Sequence, residues 1–202
     1  MIFRPHPRAF HVLSALVLAA LLSATGCARR QTWQLTDING NLPDLKFTLA
    51  TAGNARLTAA DFRGQIVLLY FGYVHCPDVC PMTMARLGGI VGKLGPEAAK
   101  VRILFVSVDP KRDTPALTET YARAFSPAAT GATGSPAEIE RLARRYRVAY
   151  QAEPVDGSGN YEVMHSKAVY VFDGSGHVRL LIDDTDKPDA VVHDLRQLAQ
   201  SS

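Results

Sequence analysis

The chain has 202 residues, 47% of them hydrophobic and 20% charged, and a body of this size buries a core without a disulfide scaffold. Its formal net charge is +3, but only two of its 22 basic residues and none of its 19 acids precede Cys27. The remainder is therefore nearly neutral, which excludes an electrostatic surface for nucleic acid and, with it, a nucleic-acid-binding function.

Residues 1–26 have the pattern of an export signal. Two arginines precede an apolar run over residues 12–22, which is too short to span a bilayer, and small residues follow it directly before Cys27. The end of this run resembles a bacterial lipoprotein cleavage site. We therefore predict that Cys27 is lipidated and anchors the protein to a membrane, with the body in the periplasm or at the outer face of the cytoplasmic membrane. An ordinary secretory signal and an uncleaved anchor are the alternatives, and both also export the body.

Residues 27–44 are predicted to be a polar, lipid-anchored tether, in which Trp33 and Leu35 can pack locally. The folded domain is predicted over residues 45–202. It opens with residues 46–51, which alternate between apolar and polar side chains as a strand does. We expect this strand to be an N-terminal extension of the domain.

The rest of the domain alternates strands with helices. Two dense apolar runs have the composition of strands that are buried on both faces. Caps followed by proline indicate helix starts, and a glycine-rich turn separates two late strands, as in a hairpin. Strands are predicted at residues 66–73, 101–108, 167–172 and 177–182, and helices at 82–94, 115–125, 136–147 and 188–200. This order predicts an α/β, thioredoxin-like fold with a central mixed sheet flanked by helices.

A cysteine motif lies between the first buried strand and the first of these helices. Cys76 and Cys80 are four residues apart, so both sulfurs can share one helix face. A helix N-terminus favours thiolate over thiol, and two convergent thiolates suit either a soft metal such as Cu(I) or a redox-active disulfide. A buried inert pair or a structural disulfide is the alternative. Such a pair would not need a proline after each cysteine, whereas Pro77 and Pro81 shape the loop and start the helix.

A further metal ligand must come from elsewhere in the chain, and His165 is the candidate. It follows a loop rich in glycine and directly precedes the strand predicted at residues 167–172, whose start lies beside the cysteine loop in a thioredoxin-like sheet. Thioredoxins have a cis-proline there, and a histidine instead converts a disulfide-exchange groove into a Cys-Cys-His metal site. His75 adjoins Cys76 too closely for easy joint chelation. The remaining histidines lie in the signal or are interpreted as surface residues: His6, His11, His177 and His193.

With these motifs the chain resembles the Sco/SenC family. The resemblance rests on residues 70–81, with the sequence Tyr-Phe-Gly-Tyr-Val-His-Cys-Pro-Asp-Val-Cys-Pro, and on residues 106–115, with the sequence Val-Ser-Val-Asp-Pro-Lys-Arg-Asp-Thr-Pro. Residues 130–135 are similar to a third block of the family. His165, between Met164 and Ser166, falls where the family keeps its histidine, and the resemblance covers residues 45–199.

The resemblance implies a thioredoxin-like copper protein with Cys76, Cys80 and His165 as its ligands. It implies a metallochaperone that delivers copper to, or readies the thiols of, the binuclear copper site of cytochrome c oxidase subunit II or of another copper oxidase. Other copper chaperones and thiol reductants are further expected partners. The main role is then not enzymatic, and thiol–disulfide oxidoreductase activity is an accessory.

Two acids near the motifs have open roles. Asp109 ends the second buried strand, where an α/β sheet places its site. It either supports His165 and the metal or caps the loop over residues 110–115. Asp78, between the cysteines, is either a solvated loop acid or a contact for a partner.

The competing function is that of a membrane-anchored thiol–disulfide reductase, which acts on partner cysteines without an obligatory metal. The cysteine pair serves both functions, whereas His165 serves only the metallochaperone, and the missing proline argues against a general disulfide catalyst. A peroxidase is a third candidate function, and two residues argue against it. A peroxiredoxin needs threonine where Tyr73 stands, and a glutathione peroxidase needs glycine where Pro77 stands.

Overall fold

A computed structural model describes residues 32–155, 157 and 159–201 of the chain. The folded unit begins at Trp33. The predicted signal peptide and the predicted lipidation site, Cys27, lie outside the described residues, as do His6 and His11. No helix within the described ranges is long and apolar enough to cross a membrane.

A mixed six-stranded sheet forms the centre of the domain. The strands of the described residues are β1 (Thr36–Asp37), β2 (Thr48–Ala50), β3 (Arg56–Thr58), β4 (Ile66–Gly72), β5 (Val101–Ser107), β6 (Ala129–Ala132), β7 (Tyr150–Ala152), β8 (Val163–His165), β9 (Val169–Phe172) and β10 (Val178–Ile182). The main sheet has the order β1-β10-β9-β4-β5-β6, in which β4, β5 and β6 are parallel and β9 runs antiparallel to β4. All seven residues of β4 are buried, as its uninterrupted apolar run predicts.

Helices flank the sheet. They are α1 (Val79–Lys93), α2 (Pro115–Phe125), α3 (Pro136–Arg145) and α4 (Pro188–Ser201). The helices α1 and α4 pack on each other, and α2 packs on β5 and β6. A Cβ at Gly131 of β6 would lie 2.0 Å from the carbonyl oxygen of Thr118, so the backbone of α2 rests directly on that strand. The Thr114 side chain caps α2, and Ser135 and Glu138 form a capping box on α3, as the sequence predicts.

The first strand extends the folded domain toward the N-terminus beyond the predicted boundary. β1 pairs with β10, and Leu35 is only 5% exposed. The carboxylate of Asp194 in α4 accepts hydrogen bonds from the backbone N–H groups of Gln34 and Leu35, both at 2.8 Å. The domain therefore begins at Trp33 rather than at the predicted residue 45. The sequence did not reveal this boundary, because the contacts that hold residues 34–37 come from residues far along the chain and produce no local periodicity.

Short strands are the other departures from the sequence-based expectations. The predicted N-terminal strand is β2, which pairs with β3 outside the main sheet. β7 and β8 form a second separate pair, and His165 is the last residue of β8 rather than part of a loop. Segments of three or four residues are too short for alternation to reveal them, which also explains why β6 was not expected.

Candidate metal centre

The candidate metal centre lies at the carboxyl ends of β4 and β5, where a parallel sheet presents its functional loops. The two strands are joined up to their last residues, and the Val108 N–H donates a hydrogen bond to the Gly72 carbonyl at 2.8 Å. The chain then leaves β4, turns through the cysteine loop and enters α1. The cysteine loop is thus attached to the best-buried part of the sheet.

The cysteine loop is also held by Asp113, a residue to which the sequence assigned no role of its own. Its carboxylate is completely buried and accepts hydrogen bonds from the Val74 N–H at 2.8 Å and from the Ser107 hydroxyl at 2.5 Å. Its other oxygen lies 3.2 Å from Nδ1 of His75. Asp113 belongs to the second block of the family resemblance, and that was the available signal for its importance.

The two cysteines differ in burial. Cys80 lies in the first turn of α1 with no exposed surface, and its Sγ rests against β4, since a Cβ at Gly72 would lie 2.9 Å from it. Cys76 is half-buried, and its Sγ accepts a hydrogen bond from the Cys80 N–H at 3.4 Å. Both thiols are free. The expected shared helix face is wrong, because α1 begins at Val79 and the turn before it brings the Cys76 sulfur to Cys80.

His165 reaches the cysteines from the β7–β8 pair. Its Nε2 lies 3.2 Å from Sγ of Cys80, and its Nδ1 lies 2.9 Å from the carbonyl oxygen of Ser166. A carbonyl can only accept, so Nδ1 carries the proton and the Nε2 lone pair faces the sulfur. The rings of Tyr70 and Tyr73 meet the imidazole edge-on, with centroids 6.0 and 5.9 Å away. These contacts orient the imidazole as a ligand should be oriented.

The ligand atoms of Cys76, Cys80 and His165 all lie within 4.8 Å of one another. Two sulfurs and one imidazole nitrogen form a soft donor set, which suits Cu(I) and also zinc. Because no two of these ligand atoms are more than 4.8 Å apart, one ion can contact all three after small side-chain adjustments. The structure thus brings together the three residues that the sequence singled out as ligands.

The surroundings give the two thiols different acidities. Burial raises the pKa of Cys76, but hydrogen bonds from the backbone N–H groups of Asp78 and Cys80 outweigh it, so the net pKa lies below its ordinary value. Burial raises the pKa of Cys80 to about 12. Burial also lowers the pKa of His165, which keeps its imidazole neutral and able to bind a metal.

Asp109 does not contact His165, contrary to the first of the roles considered for it. It is buried, and its carboxylate accepts hydrogen bonds from Arg112 Nε at 2.5 Å and from the Tyr161 hydroxyl at 2.8 Å. The partner of the His165 imidazole is instead the Ser166 carbonyl. Asp109 also accepts backbone hydrogen bonds from the loop that follows it, in agreement with the second role.

Other polar residues near the motifs remain outside the ligand group. His75 is half-exposed beside Asp113, and Asp78 is an exposed residue directly before α1. His177 and His193 are partly exposed and are paired with Asp173 and Asp194, and neither belongs to the ligand group. Among the described residues, the large exposed apolar side chains include Met82 and Met164, each 59% exposed and close in sequence to a ligand: Met82 to Cys80, Met164 to His165.

Comparisons with known proteins agree with this geometry. A curated protein named SCO2 homolog, mitochondrial, from Bos taurus is 46% identical over 119 residues, which are 58% of this chain and 45% of that protein. The chain therefore spans about half the length of the first curated relatives that it matches.

Solved structures match over nearly their whole length. The copper-bound ScoI of Bradyrhizobium japonicum is 33% identical, with a TM-score of 0.70, over 77% of this chain and 98% of that one. The apo Sco1 protein of Thermus thermophilus is 35% identical, with a TM-score of 0.73, over 85% and 99%. The predicted thioredoxin-like α/β fold is thereby confirmed. Because the sequence model of the SCO1/SenC family also matches residues 36–200, this chain belongs to the SCO1/SenC family.

Proposed function

We propose that this protein is a copper metallochaperone whose ligands are Cys76, Cys80 and His165. The observation that carries the proposal is the convergence of two sulfurs and one imidazole nitrogen within 4.8 Å. The donor set alone suits both Cu(I) and zinc. The copper-bound relative from Bradyrhizobium japonicum, 98% of which this chain covers, supports copper.

The burial of the ligands suggests the order in which copper binds. Cys76 is the more exposed thiol and the one whose pKa is lowered, so it meets an incoming ion first. Cys80 and His165 lie deeper and complete the site. The pKa of Cys80 is about 12, so its thiol is protonated before copper arrives, and loading releases that proton. Transfer to an acceptor reverses these steps by ligand exchange.

We propose cytochrome c oxidase subunit II, or another copper oxidase, as the acceptor, with other copper chaperones or thiol reductants as further partners. Membership of the SCO1/SenC family supports this choice. Met82 and Met164, each exposed and within two residues of a ligand in the sequence, supply apolar surface for a partner. Delivery of this kind passes the ion from one set of ligands to another and does not convert a substrate into a product, so the main role we propose is not enzymatic.

Thiol–disulfide exchange is the second candidate function, and the difference between the two thiols favours it. The accessible Cys76 has a lowered pKa, as an attacking thiol needs, while Cys80 is buried within reach as the resolving thiol. Cys76 thiolate would attack a partner disulfide and form a mixed disulfide. Cys80 would then displace the partner, so that the chain is oxidised to a Cys76–Cys80 disulfide and the partner gains two electrons and two protons.

We further propose that the protein is exported and anchored to the membrane by a lipid on Cys27. The support is the pattern of residues 1–26 and the small residues before Cys27. The Cys27→Ser variant should then leave the membrane fraction for the soluble fraction. Continued membrane retention of this variant would instead indicate an uncleaved anchor.

Copper titration of the reduced full-length protein in detergent tests the main proposal. We expect one copper per chain with thiolate-to-copper absorption, and loss of most affinity in Cys76→Ser, Cys80→Ser and His165→Ala. His193→Ala, which changes a surface histidine, serves as the control and should bind normally. If no copper binds while the cysteine pair readily reduces disulfide substrates, the second function replaces the first.

A further inference from the structure

The pair of strands that carries His165 has no strand pairing to the main sheet among the described residues. As strands of the described residues, β7 and β8 pair only with each other, with Tyr150 opposite His165 and Ala152 opposite Val163. Further backbone hydrogen bonds extend this β7–β8 hairpin at both ends, from Glu153 to Glu162 and from Ser166 to Ala149. A short isolated hairpin is marginally stable by itself. Its position relative to the cysteines therefore depends on side-chain contacts with the rest of the domain.

Arg112 provides one set of these contacts. Its Nε donates to the buried carboxylate of Asp109 at 2.5 Å, and its Nη1 donates to the carbonyl oxygen of Tyr161 at 2.9 Å. The guanidinium carbon lies 3.6 Å from the centroid of the Tyr161 ring. The Tyr161 hydroxyl closes the arrangement with a hydrogen bond to Asp109 at 2.8 Å. Arg112, Asp109 and Tyr161, which we call the hairpin clamp, thus join the hairpin to the end of β5.

The hairpin clamp is next to the ring that packs on the His165 imidazole. The Arg112 guanidinium lies 5.7 Å from the centroid of the Tyr73 ring, and Tyr73 meets His165 edge-on at 5.9 Å. A displacement of the hairpin would therefore move the imidazole away from Cys80 as well as from Tyr73.

A lysine cannot reproduce the hairpin clamp. Two directed hydrogen bonds and a stacked ring need the planar fork of a guanidinium, whereas an ammonium is a single point charge. The contacts also lie away from the ligand atoms, so Arg112 does not bind the metal itself. We propose that Arg112 is a positioning residue of the metal centre, which holds the β7–β8 hairpin so that Nε2 of His165 stays beside the Cys80 sulfur. This inference rests on the proposed copper function.

Copper affinity measured in a double-mutant cycle tests the inference. We compare Arg112→Gln in the wild-type background and in the His165→Ala background, using full-length protein and Cu(II). In the wild-type background we expect about a 10- to 100-fold loss of affinity, the size typical of residues that orient a metal ligand. In the His165→Ala background we expect no further loss, because Arg112 acts through that ligand. Electron paramagnetic resonance should show weaker imidazole-nitrogen coupling in Arg112→Gln.

Matched variants separate positioning from general stability. Arg179 is a suitable control, because it is 23% exposed against 21% for Arg112, pairs with Asp173 and lies 5.6 Å from the Trp33 ring. Arg179→Gln should leave the copper affinity and the nitrogen coupling unchanged. Arg112→Lys should behave like Arg112→Gln, and Tyr161→Phe, which keeps the stacked ring, should show a smaller loss. If Arg112→Gln does not fold, copper affinity and nitrogen coupling are compared in Arg112→Lys and Tyr161→Phe instead.

The possible outcomes distinguish a failure of this inference from a failure of the proposed function. If wild-type protein binds copper and Arg112→Gln binds it equally well with unchanged nitrogen coupling, the inference is overturned and the function stands. An equal loss in the His165→Ala background also overturns it, because Arg112 would then act on the whole domain. If wild-type protein binds no copper, the function fails. Amide exchange of metal-free protein then decides, since only the hairpin clamp predicts faster exchange at Ser166 in Arg112→Gln than in Arg179→Gln.

Discussion

The two parts of the metal centre are held in different ways. Cys76 and Cys80 follow β4, whose residues are all buried and which has strand partners on both sides. His165 ends a three-residue strand of a hairpin that side chains attach to the rest of the domain. A chaperone has to bind copper and then release it. The difference teaches that a buried sheet can fix the two thiols while a short hairpin carries the imidazole, an arrangement that suits the binding and release of copper in the function we propose.

The largest expected difference between the two parts is in amide hydrogen exchange. We expect β4 and β5 amides of the metal-free protein to exchange only through global unfolding and the hairpin amide of Ser166 to exchange about 10³-fold faster, through local opening. Exchange followed by mass spectrometry or NMR measures both. Equal protection would show that the hairpin is as firmly held as the sheet.

Removing the carboxylate of Asp113 should weaken the cysteine side. Asp113→Ala deprives Val74 and Ser107 of a buried, charged acceptor, and we expect the free energy of unfolding to fall by about 3 kcal/mol. Denaturant unfolding measures the loss. Asp189→Ala, which changes an exposed acid, should stay within about 0.5 kcal/mol of wild type. A similarly small effect for Asp113→Ala would contradict its role in holding the loop.

A methyl group at Gly72 should destabilise the cysteine side less than the loss of the Asp113 carboxylate does. Its Cβ would lie 2.8 Å from the Phe105 ring and 2.9 Å from the Cys80 sulfur, so Gly72→Ala should cost about 1–3 kcal/mol and reduce copper affinity. Gly92 of α1 has nothing within 4 Å of the same position, and Gly92→Ala should leave the stability unchanged or raise it by up to about 1 kcal/mol. Unfolding and copper titration of both variants check the contrast.

The smallest expected effect is a pH dependence on the histidine side. Burial lowers the pKa of His165 in the folded state below the ordinary value of 6.5. Between these two values the unfolded chain binds a proton that the folded chain does not, so stability is lost as the pH falls below about 6.5. In His165→Gln, the free energy of unfolding should fall less between pH 7 and pH 5 than it does in wild type, and we expect the difference to be less than about 1 kcal/mol. Unfolding curves of metal-free protein from pH 7 to pH 5 measure it, and identical slopes would show that His165 does not contribute.

Much of the framework could be predicted because the evidence for it is local. An uninterrupted apolar run marks β4, a capping box marks α3, and the cysteine loop lies between a strand and a helix that are adjacent in sequence. His165 could be found from its place before β9 and from the family resemblance. The resemblance also contained Asp113, but nothing local distinguished a buried acceptor from a helix cap.

What the sequence by itself determined is therefore the sheet core, the starts of α2, α3 and α4 and the identity of the three ligand candidates. Only the tertiary structure decided that the domain begins at Trp33, where Leu35 meets Asp194, and that Asp109 belongs with Tyr161. The physical reason is distance along the chain. Periodicity and capping are set by neighbours within a few residues, whereas the contacts of Leu35 with Asp194 and of Tyr161 with Asp109 join residues 159 and 52 positions apart and exist only once the sheet has formed.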